Sequence, residues 1–88
     1  MLEKDIEKAL VYRVKCLGGT AEKFTSPNKR SVPDRLITLP EGRIIFVECK
    51  RPGAKPTEGQ ARDHALRRWL GCDVRVIDTL EQVNAFPD

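Results

Sequence analysis

Val32-Pro33-Asp34-Arg35-Leu36-Ile37-Thr38-Leu39-Pro40-Glu41-Gly42-Arg43-Ile44-Ile45-Phe46-Val47-Glu48-Cys49-Lys50 decides how this chain folds. Leu36 to Leu39 reads as a strand and Pro40-Glu41-Gly42 as a turn. Ile44 to Val47 is apolar at every position, the mark of a central strand covered on both faces. If the turn is those three residues, Leu39 faces Arg43. Every further antiparallel pair then keeps the same sum of residue numbers, which sets Asp34 opposite Glu48 with Cβ atoms about 4.5–5.5 Å apart. A turn one residue longer would set Cys49 there instead, so the arrangement depends on register. Side chains alternate along a strand, so Glu48 and Lys50 share a face about 7 Å apart.

Outward from this hairpin, residues 2–17 carry Leu2, Ile6, Ala9, Leu10, Val14 and Leu17 at three- and four-residue steps, the stripe of a core-facing helix. Gly18-Gly19 ends it. Residues 20–24 fit a short first strand. Residues 25–33 are turn-formers around Lys29 and Arg30, an exposed loop. After the hairpin, Arg51 to Pro56 is a loop. Thr57 then opens a helix with Gln60 in capping-box position, and Ala61, Ala65, Leu66, Trp69 and Leu70 form its apolar face. Gly71 stops that helix. Val74 to Ile77 reads as a strand, and Thr79 caps a last short helix through Val83 and Phe86. The order is α-β-β-β-α-β-α: one α/β domain over residues 1–88, a small mixed sheet flanked by helices.

Composition narrows the possible functions. The chain has 88 residues, 40% hydrophobic and 33% charged, so it is globular rather than disordered. A domain this small hides only about 60–70% of its unfolded surface, and a dimer would help it. It has no apolar run of the ~18 residues that a membrane span requires. Met1-Leu2-Glu3-Lys4-Asp5 is not a signal-peptide start, so the expected setting is the cytosol. A net charge of +3 leans mildly toward polyanions. Cys16, Cys49 and Cys72 are odd in number and widely spaced, which fits free thiols. With His64 the only histidine and no Cys-x-x-Cys, a structural zinc site is not indicated.

The chemistry centres on Asp34, Glu48 and Lys50. Two facing carboxylates repel unless a cation sits between them, and oxygen ligands around a partly hydrated ion suit Mg²⁺ or Mn²⁺. The first helix offers a further acid. Glu3 and Glu7 lie four residues apart on one face. Glu7 borders the buried stripe through Leu10, Val11 and Val14 and is the favoured one; Glu3 lies a turn further out. Lys50 can stabilise charge growing on a phosphorane or orient an attacking water. Together these groups supply what metal-dependent phosphodiester hydrolysis needs. The alternative is a plain Glu48–Lys50 salt bridge at a strand end, with the helical acids serving the helix dipole and pairing with Lys4 or Lys8.

Pro33-Asp34 followed by Glu48-Cys49-Lys50 resembles the PD-(D/E)xK nuclease signature. The longer series is more specific: Glu3-x-x-Ile6-Glu7, Gly18-Gly19, Lys23-Phe24-x-Ser26-Pro27, Val32-Pro33-Asp34-Arg35, Phe46-Val47-Glu48-x-Lys50 and Gln60. In that order it resembles the virus-type replication-repair nuclease (VRR-NUC) family, from about residue 3 to residue 80. Cys49 departs from the pattern, since that position is commonly aliphatic. The resemblance implies a restriction-endonuclease-like core, a divalent metal and cleavage of DNA to leave a 5′-phosphate. Asp34 and Glu48 would be metal ligands, helped by the Cys49 carbonyl and by Glu7 or Glu3, with Gln60 near the active centre. Stand-alone members come from phages and bacteria, resemble Holliday-junction resolvases and are expected to be homodimers acting on branched DNA.

Gln60 also has a purely local role as the reciprocal partner of Thr57. Lys29 and Arg30 lie in the loop that runs into Asp34, which favours contact with DNA phosphates, and Lys23 and Arg35 flank the same loop. His64 and Trp69 read as packing and surface residues. So short a chain has little surface to spare for base readout, which favours structure-selective cutting over sequence reading. A flap or nicking nuclease, or a DNA-binding module with a relic site, is the alternative.

Overall fold

The computed structural model describes residues 1–88. Its elements are α1 (Glu3–Cys16), β1 (Thr20–Lys23), β2 (Arg35–Leu39), a 3₁₀ turn (Pro40–Gly42), β3 (Arg43–Cys49), α2 (Glu58–Trp69), β4 (Val74–Ile77) and α3 (Leu80–Ala85). The strands lie in the order β1-β2-β3-β4. β1, β2 and β3 are antiparallel neighbours, and β4 joins β3 in parallel after the α2 crossover. This is the expected small mixed sheet flanked by helices. No helix is long and apolar enough to cross a membrane.

The hairpin closes as the turn chemistry requires. Glu41 and Gly42 both take positive φ, 70° and 77°, and Leu39 pairs with Arg43. Pairing runs without a bulge to Arg35 opposite Val47, so Asp34 and Glu48 are next in register.

Strand parity divides the molecule into two faces. Ile37, Leu39, Ile45, Val47 and Cys49 point one way and join Ile6, Leu10 and Val14 of α1, Ile77, and Val83 and Phe86 in a single buried cluster. Each such fully buried aliphatic side chain contributes about 1.5–3 kcal/mol. Glu48 points the other way, toward Gln60 and His64 of α2.

The packing of α2 corrects the expectation from periodicity. Its Leu66, Trp69 and Leu70 are 45%, 83% and 64% exposed, whereas Asp63 and His64 are buried. The side of α2 turned to the sheet and the β1–β2 loop carries Gln60, Asp63, His64 and Arg67, and it is held by hydrogen bonds and stacking rather than by an apolar stripe. Asp63 accepts from Lys29 of that loop at 3.3 Å and from Arg67 at 2.7 Å. The Arg67 guanidinium lies over the rings of Phe24 and Phe46, at 5.3 and 4.9 Å.

Two glycines shape the exit from α1. Gly18 takes φ +83°, the left-handed helix stop. A Cβ on Gly19 would stand 2.4 Å from the Thr38 carbonyl oxygen and 2.9 Å from the Leu39 side chain. Gly19→Ala therefore forces the chain off β2, and we expect a loss of about 1–3 kcal/mol, read as a lower urea midpoint at unchanged slope.

Burial alone would raise the Asp63 pKa, but its hydrogen bonds to Arg67 and Lys29 outweigh it and hold the carboxyl below its ordinary value of 3.8. The stability that Asp63 contributes is therefore fully present above that value and lost as pH falls through the depressed one. Asp63→Asn should cost about 1–3 kcal/mol at pH 7. The gap between the two proteins in urea melts should narrow below about pH 4.

Candidate active site

Asp34 stands immediately before β2. Its Oδ2 accepts the backbone N–H of Cys49 at 2.9 Å, and its carbonyl accepts from Phe24 N–H at 2.9 Å. The acid is thus tied at both ends to neighbouring strand segments, against the last residues of β3.

Glu48 is 1% exposed. Its Oε2 accepts from Gln60 Nε2 at 3.1 Å and lies 3.6 Å from Lys50 Nζ. Its Oε1 is buried without a hydrogen-bond partner and faces His64 Nε2, equally unpartnered, at 3.9 Å. Burial first, and then the neighbouring Asp34 carboxylate, push the Glu48 carboxyl up to about 8; Lys50 pulls it down. Burial first, and then the Asp34, Glu7 and Glu48 carboxylates, push the Cys49 thiol up to about 12. Cys49 therefore packs as a neutral apolar residue on the core face, and its side chain is turned away from Glu48.

Gln60 fills both roles read from the sequence. Its Oε1 accepts from Thr57 N–H at 2.9 Å, closing the capping box, while its Nε2 donates to Glu48. The cap fixes the rotamer that reaches the acid.

The two helix-borne acids have different surroundings. Arg35 has the parity of the core face, so its side chain turns toward α1. There its Nε donates to Glu7 Oε2 at 2.8 Å and Nη1 to the Ala21 carbonyl at 3.0 Å. Arg35 and Glu7 thus form an ion pair at the interior edge of the sheet. No third acid, Cys or His side chain closes on the Asp34–Glu48 pair as a metal cluster. Glu3, in the first turn of α1 and exposed, is the helical acid whose charge reaches Glu48 and raises its pKa.

Of the expected phosphate contacts, Lys23 and Arg30 are exposed and Lys29 is half-exposed on Asp63. His64, read from the sequence as a packing residue, is buried against Glu48. It lies four residues after Gln60, on the same face of α2.

The donor set fits a divalent cation. Two carboxylates stand side by side, and one of them presents a buried oxygen with no protein donor.

No family model matches the chain. A protein of Acyrthosiphon pisum secondary endosymbiont phage 1, named "Putative nuclease p44", is 53% identical over 85 residues, covering 97% of this chain and 91% of that protein. A solved structure described as a VRR_NUC domain superposes with a TM-score of 0.89 at 34% identity, over 94% of this chain and 90% of that one. Both likenesses span nearly the whole chain, including the hairpin on which Asp34 and Glu48 are mounted and α2 beside it. The chain belongs to the virus-type replication-repair nuclease (VRR-NUC) family.

Proposed function

We propose that the protein is a metal-dependent endonuclease that hydrolyses DNA phosphodiester bonds, acting on branched or junction DNA as a homodimer. The observation that carries this reading is Glu48. It is a buried carboxylate at the end of β3, beside Asp34, with Lys50 Nζ 3.6 Å away and one oxygen left without a partner. A fold gains nothing from such a group unless the group is used. The phage relative's name and the VRR_NUC structural neighbour point to the same chemistry.

Asp34 and Glu48 would hold Mg²⁺ or Mn²⁺ with help from the Cys49 carbonyl. Bound there, the ion would polarise the phosphate and activate water. The chain's own groups prepare the site. The Cys49 N–H orients Asp34, and Gln60 and Lys50 fix one oxygen of Glu48 while His64 walls the other. Lys50, 14% exposed along its side chain, places a cation where charge develops on the phosphoryl oxygens. Glu3 or Glu7 would be the helical acid that assists: the Glu3 charge reaches Glu48, and the Glu7 charge, though paired with Arg35, reaches Cys49. The dimer and the junction preference rest on symmetry and size. A two-fold dimer presents paired sites to a two-fold junction. The bare Leu66, Trp69 and Leu70 side chains supply apolar surface for such a contact.

The test is cleavage of a four-way junction and a linear duplex under Mg²⁺ and Mn²⁺ titration. Asp34→Asn and Glu48→Gln should each abolish cutting while DNA binding is retained. Near-normal rates in either variant would remove the catalytic assignment. Equal rates on the two substrates would remove the junction preference.

Lys50→Ala should lower turnover by about 10²–10³-fold with little loss of affinity, as expected for one electrostatic stabiliser of the transition state. Equal losses in binding and turnover would make Lys50 a phosphate anchor instead.

A further inference from the structure

A cleft of about 320 Å³ opens between the β1–β2 loop and the first two turns of α2, lined by Lys29, Arg30, Ser31, Gly59, Arg62 and Asp63, with Leu66 at its rim. From these residues we infer that the cleft is a built subsite for a backbone phosphate of the DNA strand. The inference rests on the nuclease reading but adds to it a specific place where the flanking strand is gripped.

Three observations carry it. The first is charge. Arg30 and Arg62 are exposed, and neither has a hydrogen-bond or ion-pair partner. The one carboxylate in the lining, Asp63, is already matched by Lys29 and Arg67. Arg30 and Arg62 thus line the cleft with no ion-pair partner, and a guanidinium suits a phosphate oxygen pair.

The second is rigidity. Asp63, 6% exposed, ties the loop to α2 through Lys29, and Arg67 is seated over Phe24 and Phe46. The walls are held in place before any ligand arrives, so little ordering cost falls on binding.

The third is Gly59. Here a Cβ would come within 2.6 Å of Ser31 Oγ, so the missing side chain is what lets the loop hydroxyl sit against the helix at the cleft floor. Gly59 is followed directly by Gln60, which donates to Glu48. The cleft and the acid at the reaction centre are thus bordered by consecutive residues of one helix.

The experiment is binding of a fluorescein-labelled 20-base-pair duplex in EDTA, where no cleavage occurs, across a salt series and with two unrelated sequences. Arg30→Ala and Arg62→Ala should each weaken binding about tenfold for both sequences and reduce the salt slope by about one. Arg43→Ala removes the same charge at the opposite end of β3 and should leave the slope unchanged. Gly59→Leu fills the cleft without changing charge; with its fold verified by circular dichroism, it should also weaken binding about tenfold, and adding Arg62→Ala to it should cost little more. An effect of Arg43→Ala equal to that of Arg62→Ala would overturn the subsite in favour of diffuse attraction. So would full affinity in a folded Gly59→Leu protein. Because no metal or turnover enters, a chain that binds this way but never cuts DNA would refute the nuclease reading and leave the subsite standing.

Discussion

The Asp34 carboxylate accepts the Cys49 N–H at 2.9 Å, and much of the molecule is arranged around that hydrogen bond. The β2–β3 ladder stops at Arg35, and the residue that would continue it past Asp34 is Pro33, which is buried. A backbone donor inside a fold needs an acceptor, and here an acidic side chain takes the place of the next strand carbonyl. The consequence is chemical as well as structural. The acid cannot swing into solvent, and the neighbouring residue of β3 is Glu48, so two carboxylates are held together that would otherwise separate. The three-residue turn at Pro40–Gly42 fixes which residue of β3 meets Asp34. A slip of one residue would send Glu48 into the apolar core and Cys49 to the acid.

Across the sheet, α2 is fitted by polar groups. A helix packed through Gln60, Asp63, His64 and Arg67 binds less firmly than one packed through leucines, because its hydrogen bonds only replace those made to water. It gains direction in return: each contact has a defined partner, so the helix cannot rotate or slide without breaking several at once. Gln60 reaches Glu48, Asp63 holds the Lys29 loop, and Arg67 covers the Phe24–Phe46 pair. The apolar residues displaced from the contact face, Leu66, Trp69 and Leu70, are left on the outside.

This arrangement explains what the sequence shows and what it hides. The hairpin was legible because strand side chains alternate strictly and the turn residues fix the count, so Asp34, Glu48 and Lys50 could be brought together from residue numbers alone. The α1 stripe was legible because only one face of that helix is apolar. The face of α2 was not, because its apolar and polar residues both recur at helical spacing. Hydrophobicity picked the wrong stripe, and Gln60, Asp63, His64 and Arg67 were the informative one. Glu3 and Glu7 could not be separated by helical spacing, since residues four apart share a face. The parity of Arg35, on a strand 28 residues away, decides that Glu7 is the paired one.

Electrostatics accounts for the division of labour between buried and exposed charge. A protein that brings a polyanion to a pair of carboxylates must overcome their repulsion, and a net charge of +3 over the whole molecule is too small to do this at a distance. Position does more than total. Glu48 is sealed at 1% exposure with its carboxyl pushed up to about 8 and Lys50 beside it, so it presents little negative charge to the strand before contact. Lys23, Arg30 and Arg62 stand exposed, and Asp63, which lines the same cleft as Arg30 and Arg62, is buried and already paired. Swapping these placements at constant composition, with the acids outside and the cations inside, would give the same net charge and a surface that repels DNA.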